Sequence, residues 1–151
     1  MGEINKIDNE QDLTNGGAMT VSRRKRNLTQ AKRGVVGSIF VILVLTLLEF
    51  PDPIGFETRP QDKVSGVWFV LFLAILISEI AAMPLIFKRP TLGARLAIVA
   101  AGLNLFQIVA DQTHLMQPEV APLGYSLLEY SVGVVALGLI YFAWKVLNPR
   151  I

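Results

Sequence analysis

Four carboxylic acids lie within, or directly at the end of, stretches of sequence that are otherwise apolar enough to cross a lipid bilayer. They are Glu49, Glu79, Asp111 and Glu129, one in each stretch. An ionised carboxylate in hydrocarbon is costly, so each needs a hydrogen-bonding partner, a bound proton or water. Such groups could relay protons or cations, or they could fasten helices to one another.

Three of these acids are expected near one end of the molecule, together with other polar residues. On a helix, Asn104 and Asp111 fall on one narrow stripe, with Gln107 on its flank. Glu129 is expected about 9 Å inside the membrane boundary, at about 1.5 Å per residue. The sequence thus predicts one outward-facing polar pocket, whose candidate residues are Glu49, Asn104, Gln107, Asp111, His114 and Glu129.

Several interpretations of this cluster stay open. In the simplest, Glu49 and Asp111 are solvated helix ends, and Glu129 is hydrogen-bonded to Asn104, Gln107 or a tyrosine. The functional alternatives are a proton or cation relay, a pocket for a quinone head or another small ligand, and a metal site. No metal site is predicted, because the Glu-x-x-His spacing that places two ligands on one helix face is absent. His114 is either a solvated surface group or, with Asp111, a sensor of outer pH.

Glu79 is expected to be a separate feature. It lies about 20 Å along its helix from Gly66, in the inner half of the membrane, at about 1.5 Å per residue. A buried carboxylate at that depth is either hydrogen-bonded within the bundle or used in transport.

The elements that hold these residues follow from hydropathy. Hydrophobic residues make up 52% of the 151-residue chain, more than a soluble domain of this size usually needs. Prolines and basic turns divide the apolar sequence into spans at about 34–50, 66–87, 92–110 and 124–147. We therefore predict an all-α fold, an integral membrane four-helix bundle.

Small residues predict which helix faces meet. The third span carries Gly93, Ala97 and Ala101 on the stripe of Asn104 and Asp111. The fourth has a similar stripe, which comprises Tyr125, Ser126, Glu129, Gly133, Ala136, Ile140 and Ala143. Because small residues let backbones approach closely, these two stripes should face each other. On the first span, one face comprises Gly34, Ser38, Leu45 and Glu49.

Basic residues predict the orientation. From Arg23 onward, eleven lie on one side of the proposed spans, namely Arg23, Arg24, Lys25, Arg26, Lys32, Arg33, Lys88, Arg89, Arg95, Lys145 and Arg150. Only Arg59 and Lys63 lie on the other. By the positive-inside rule, both termini face the cytoplasm from an inner membrane. Residues 1–33 are then a disordered, basic cytoplasmic arm and residues 148–151 a short tail. An alternative in which Met19 is the first residue stays open.

Other classes of function are disfavoured by what the sequence lacks. With no cysteine there is no disulfide or thiolate metal site, and a net charge of +2 concentrated in one cluster does not indicate nucleic-acid binding. No nucleophile-base pair and no glycine-rich phosphate loop is present. The sequence favours a non-catalytic protein, requires no cofactor and leaves the identity of any cofactor unknown.

A run of residues around the second turn resembles DoxX-like membrane proteins. It reads EIAAMPL at 79–85, KRP at 88–90 and GARL at 93–96. The resemblance implies four spans and an accessory or assembly subunit of a larger membrane complex, with a link to quinone or oxidative-stress redox chemistry and a role for Glu79. Expected partners are the bilayer and other membrane subunits or further copies of the chain. The alternative is a small proton-linked or solute transporter that uses the intramembrane carboxylates.

Overall fold

The part of the chain that the structure describes forms four helices. The structure, a computed structural model, describes residues 4–48, 66–113, 115 and 123–149, with the backbone alone for 4–20, 68 and 125. Helix α1 is Ile4–Leu48, α2 is Gly66–Lys88, α3 is Pro90–Gln112 and α4 is Leu123–Leu147. Each contains a stretch long and apolar enough to cross a membrane. The predicted four-helix membrane fold is confirmed, and α2, α3 and α4 begin and end within two residues of the predicted spans.

Helix α1 differs from the prediction at its start. It begins at Ile4, whereas residues 1–33 were expected to form a disordered arm. The sequence has no proline before Pro51, and a helix that has already formed extends at little cost through residues that do not break it. The stretch suited to the membrane is Val21–Leu48, longer than the predicted 34–50. Glu49, Phe50 and the segment 51–65 lie outside the described residues.

The turn between α2 and α3 is very short. Lys88 ends α2, Arg89 alone lies between the helices, and Pro90 begins α3. The Gly93 amide donates to the Arg89 carbonyl at 3.0 Å, and the Arg89 amide donates to the Leu85 carbonyl at 2.7 Å. Such a turn makes α2 and α3 antiparallel neighbours. Gly93 lies directly against the α2 backbone, where an added Cβ would be 2.7 Å from Ile86 Cα.

The predicted small-residue face of α3 is buried. Its buried residues are Gly93, Ala94, Ala97, Ala100, Ala101, Asn104, Ala110 and Asp111. On α4, Glu129, Gly133, Ala136 and Ala143 are buried as well. An added Cβ on Gly133 would lie 3.5 Å from Ile108 Cδ1 of α3, so α4 packs closely on α3 as expected. The α3 stripe does not face α4 alone, because its members Gly93 and Asn104 contact α2.

Helix α1 packs mainly against α4. Its fully packed residues are Ala31, Val35, Ile39 and Ile42. Gly34, Ser38 and Leu45, which share a face in the sequence, are only partly buried and lie beside these residues. The bulkier aliphatic side chains fill the core here, while Gly34 lets the Phe142 ring of α4 pack against the α1 backbone.

One end of the described bundle is basic. Arg33, Lys88, Arg89 and Lys145 all lie there, and we call it the basic end. Elsewhere the bundle surface is covered by large apolar side chains, among them Phe40, Leu47, Phe69, Val134 and Leu137. A water-soluble protein rarely exposes so continuous an apolar surface, whereas lipid tails cover it at no cost.

Candidate functional site

The most deeply buried polar contact joins α2 to α3. Asn104 Nδ2 donates a hydrogen bond to Glu79 Oε1 at 2.7 Å. Glu79 is only 2% exposed and Asn104 only 9%. Side chains lean toward the N-terminus of their own helix, so on antiparallel helices Glu79 and Asn104 lean toward each other. We call these two residues the Glu79 pair.

The surroundings of the Glu79 pair are apolar. Along the same face of α2 the buried neighbours of Glu79 are Ile75, Ala82 and Ile86. The Ser78 hydroxyl does not join the pair, because it donates to the Ala74 carbonyl of its own helix at 2.7 Å. Among the described residues, no lysine or arginine lies on this stretch of the spans. The carboxyl group therefore has a neutral amide as its partner in place of a cation.

The pairing corrects the prediction for two residues. Asn104 was expected in the outer pocket and Glu79 was expected to stand apart from it, yet the structure bonds them directly. When the position of each residue in the membrane was estimated from its own helix, the two residues were expected at different depths. Because the two side chains lean toward each other, they meet despite this difference in backbone depth.

A second polar cluster joins the far ends of α3 and α4. Gln112 Nε2 donates to Glu129 Oε2 at 2.5 Å and to Ser126 Oγ at 3.3 Å. The Tyr130 hydroxyl donates to Gln112 Oε1 at 3.2 Å. Glu129 is 8% exposed, so its carboxyl group is largely removed from solvent. We call Gln112, Ser126, Glu129 and Tyr130 the Gln112 cluster.

This arrangement follows from helix geometry. Ser126, Glu129 and Tyr130 share one face of α4, because residues three and four apart are neighbours on a helix. Gln112 is the last residue of α3 and reaches across to that face. A single carboxamide donates to two oxygens and accepts from a third, so it satisfies several polar groups at once.

The other predicted pocket residues are placed as follows. Asp111 is 5% exposed at the end of α3. Gln107 is half-buried, and within the described part of the chain it makes no hydrogen bond through its side chain. Glu49 and His114 lie outside the described residues. The structure thus pairs Asn104 with Glu79 and Glu129 with Gln112. A single outer pocket that includes Asp111 and Glu129 stays a prediction.

Sequence reasoning did not select Gln112 or Tyr130. Gln112 follows Asp111 directly and is the amide nearest the end of the third span, where it can reach the first turns of the fourth. An amide at the depth of a buried carboxylate is the signal that could have identified it. Among the described residues, no group of three or more His, Asp or Glu side chains is placed to hold a metal ion.

The fold and these two polar clusters define a small four-helix membrane protein. No family model matches the chain, and neither a curated protein nor a solved structure does. The resemblance to DoxX-like proteins stays a prediction, and function must be argued from the contacts of this chain.

Proposed function

We propose that this protein is a non-catalytic accessory or assembly subunit of a larger membrane complex. The observation that carries the proposal is the use of its intramembrane polar side chains. Asn104 binds Glu79 and Gln112 binds Glu129, each across a helix interface. Hydrogen bonds of this kind hold transmembrane helices together. The carboxylates therefore serve to fasten the bundle.

The exterior of the bundle supports a role in association. Gly37, Gly102 and Gly138 have open space where a Cβ would be, so another helix could approach their backbones closely. On α3, Val99, Phe106 and Gly102 are exposed on the same side. The resemblance to DoxX-like proteins suggests that the partner complex is linked to quinone or oxidative-stress redox chemistry.

The first test is the size of the assembly extracted from native membranes in mild detergent. We expect the protein to migrate with other membrane subunits, and Gly102→Leu to release it because the new side chain fills the approach to α3. Val109→Leu, on the same exposed face, is the matched control and should leave the assembly intact. Recovery of the wild-type chain alone and monodisperse would contradict the proposal.

A second candidate function is a small proton-linked or solute transporter. The observation that favours it is the Glu79 carboxyl, which is 2% exposed and has an amide partner. Such a group can gain and lose a proton without breaking an ion pair. In liposomes containing the purified protein, a transporter would show proton or solute flux that Glu79→Gln or Glu129→Gln abolishes. A subunit shows no flux in either variant or in the wild type.

We also propose that both termini face the cytoplasm from the inner membrane. This rests on the clustering of Arg33, Lys88, Arg89 and Lys145 at one end of the bundle. The chain has no cysteine, so single cysteines can be introduced and labelled one at a time. In intact cells, an impermeant maleimide should label Gln61→Cys and leave Arg24→Cys unlabelled until the cells are lysed. Labelling of both positions in intact cells would overturn this orientation.

A further inference from the structure

A groove lies between α1 and α4 at the basic end of the bundle. Its volume is about 220 Å³. Its apolar floor includes Leu28, Ala31 and Phe142, and its polar rim includes Asn27, Gln30 and Lys145. The small side chain of Ala31 leaves space between α1 and α4 for the groove. One turn farther along α1 this space is filled, because the Phe142 ring packs against Gly34.

The charged side chains around this groove have one sign. From Leu13 to Leu48 the sequence contains no acidic residue, while Arg23, Arg24, Lys25, Arg26, Lys32 and Arg33 all lie in that stretch. Arg23 and Arg24 are exposed and precede Asn27 by about one turn, so they continue the grooved face of α1 away from the bundle. None of the described residues that line the groove is acidic. The groove is therefore an electropositive site with an apolar floor.

Lys145 places a cation at the rim. Its Nζ lies 4.7 Å from the centroid of the Tyr141 ring, and within the described residues it has no carboxylate partner. The Tyr141 ring restrains the lysine and leaves its ammonium hydrogens available to an acceptor. The last carbonyl groups of α4 carry partial negative charge, and Lys145 lies in the turn that bears them. The full positive charge of the ammonium group outweighs this partial negative charge at the rim of the groove.

We infer that the groove between α1 and α4 binds the phosphate-bearing headgroup of an anionic phospholipid. A headgroup bound in the groove would place its phosphate near Lys145, Asn27 and Arg24. Its glycerol and upper acyl carbons would then contact Leu28 and Phe142. A basic cleft between transmembrane helices at the membrane surface is the environment in which proteins bind anionic lipid headgroups. The inference is independent of whether the protein acts as a subunit or as a transporter.

The test is a lipid titration of the full-length protein in neutral detergent, followed by native mass spectrometry at matched ionic strength. The probes are dioleoylphosphatidylglycerol, dioleoylphosphatidylcholine with the same acyl chains, and inorganic phosphate. We expect one phosphatidylglycerol to be retained at concentrations at which phosphatidylcholine is lost. Inorganic phosphate should neither bind nor compete, because it lacks the apolar part that the groove floor contacts.

Lys145→Gln should weaken phosphatidylglycerol binding at least about fivefold, the effect of one cation near an anionic lipid. Lys88→Gln is the matched control, because it removes an exposed lysine from the same end on α2, outside the groove. At about 0.15 M salt, where charges are screened within about 8 Å, its effect should be under twofold. Lys145→Arg should restore binding, and Gln30→Trp, at an exposed position on the rim, should block it.

Three results would overturn the inference. Equal retention of both phospholipids would show that the groove does not distinguish an anionic headgroup from a zwitterionic one. Equal losses in Lys145→Gln and Lys88→Gln would show a diffuse basic surface in place of a site. Binding of inorganic phosphate that depends on Lys145 would identify a soluble phosphate as the ligand and exclude the lipid. Unchanged melting temperatures of the variants in lipid-free detergent would confirm that folding is intact.

Discussion

Gly93→Ala is expected to destabilise the folded protein by about 3 kcal/mol, at the upper end of what overpacking costs. The new Cβ would overlap the main chain of α2, with Ile86 Cα at 2.7 Å and the Leu85 carbonyl carbon at 2.7 Å. A side chain could rotate away from a methyl group, whereas a helix backbone cannot. The two helices would have to separate next to a turn of one residue. The measurement is reversible unfolding of the purified protein in detergent, followed by circular dichroism.

Gly102→Ala is the control for this change. Gly102 lies in the same helix, and nothing lies within 4 Å of the position its Cβ would take. Alanine stabilises a helix relative to glycine by up to about 1 kcal/mol, so this variant should be as stable as the wild type or slightly more stable. If both variants unfold at the same temperature as the wild type, α2 and α3 do not approach each other closely at Gly93.

The same glycine illustrates why much of the fold could be predicted. Gly93, Ala97 and Ala101 repeat at the helical period within an apolar stretch, and that repeat alone indicates a face against which another helix packs. Lys88, Arg89 and Pro90 predict a turn, because charged residues interrupt the apolar sequence there and proline is favoured at the first position of a new helix. Pro84, which has apolar sequence on both sides, lies inside α2. Helical period and helix-breaking residues are local properties of the chain. The α2–α3 hairpin and the buried face of α3 could therefore be predicted from them.

The partners of the polar residues could not be predicted in the same way. Pairing Asn104 with Glu79 depends on the relative height of two helices and on the direction in which each side chain leans. Pairing Gln112 with Glu129 depends on how far a helix end reaches past its predicted boundary. An error of one turn moves a side chain by about 5.4 Å, more than the length of a hydrogen bond. Sequence patterns identify which residues need partners and leave open which partners they find.

The start of α1 could not be predicted from the sequence either. Polar, charged residues with two adjacent glycines predicted an arm without regular structure, yet α1 begins at Ile4. Composition reports whether a segment can bury apolar surface. It does not report whether a helix that packs in the bundle at Val35 and Ile39 extends from there toward the N-terminus.

Asn104→Leu is expected to destabilise the protein by about 2 kcal/mol, because it leaves the Glu79 carboxyl buried without its donor. Leucine has the same branching as asparagine and equally many heavy atoms, so the change removes a hydrogen bond and creates no cavity. Gln107→Leu is the control on the same helix. Gln107 makes no hydrogen bond within the described residues, and its replacement should cost under about 0.5 kcal/mol. Unfolding in detergent measures both.

The decisive variant combines Asn104→Leu with Glu79→Leu. If the Glu79 pair acts as a fastener, the double variant should be more stable than Asn104→Leu alone, since no buried polar group is left without a partner. Glu79→Gln should be nearly neutral, because its amide oxygen can still accept from Asn104 Nδ2. Additive losses in the double variant would mean that the two side chains contribute separately. The hydrogen bond would then not hold α2 to α3, and the argument that the buried carboxylates serve the bundle would lose its strongest support.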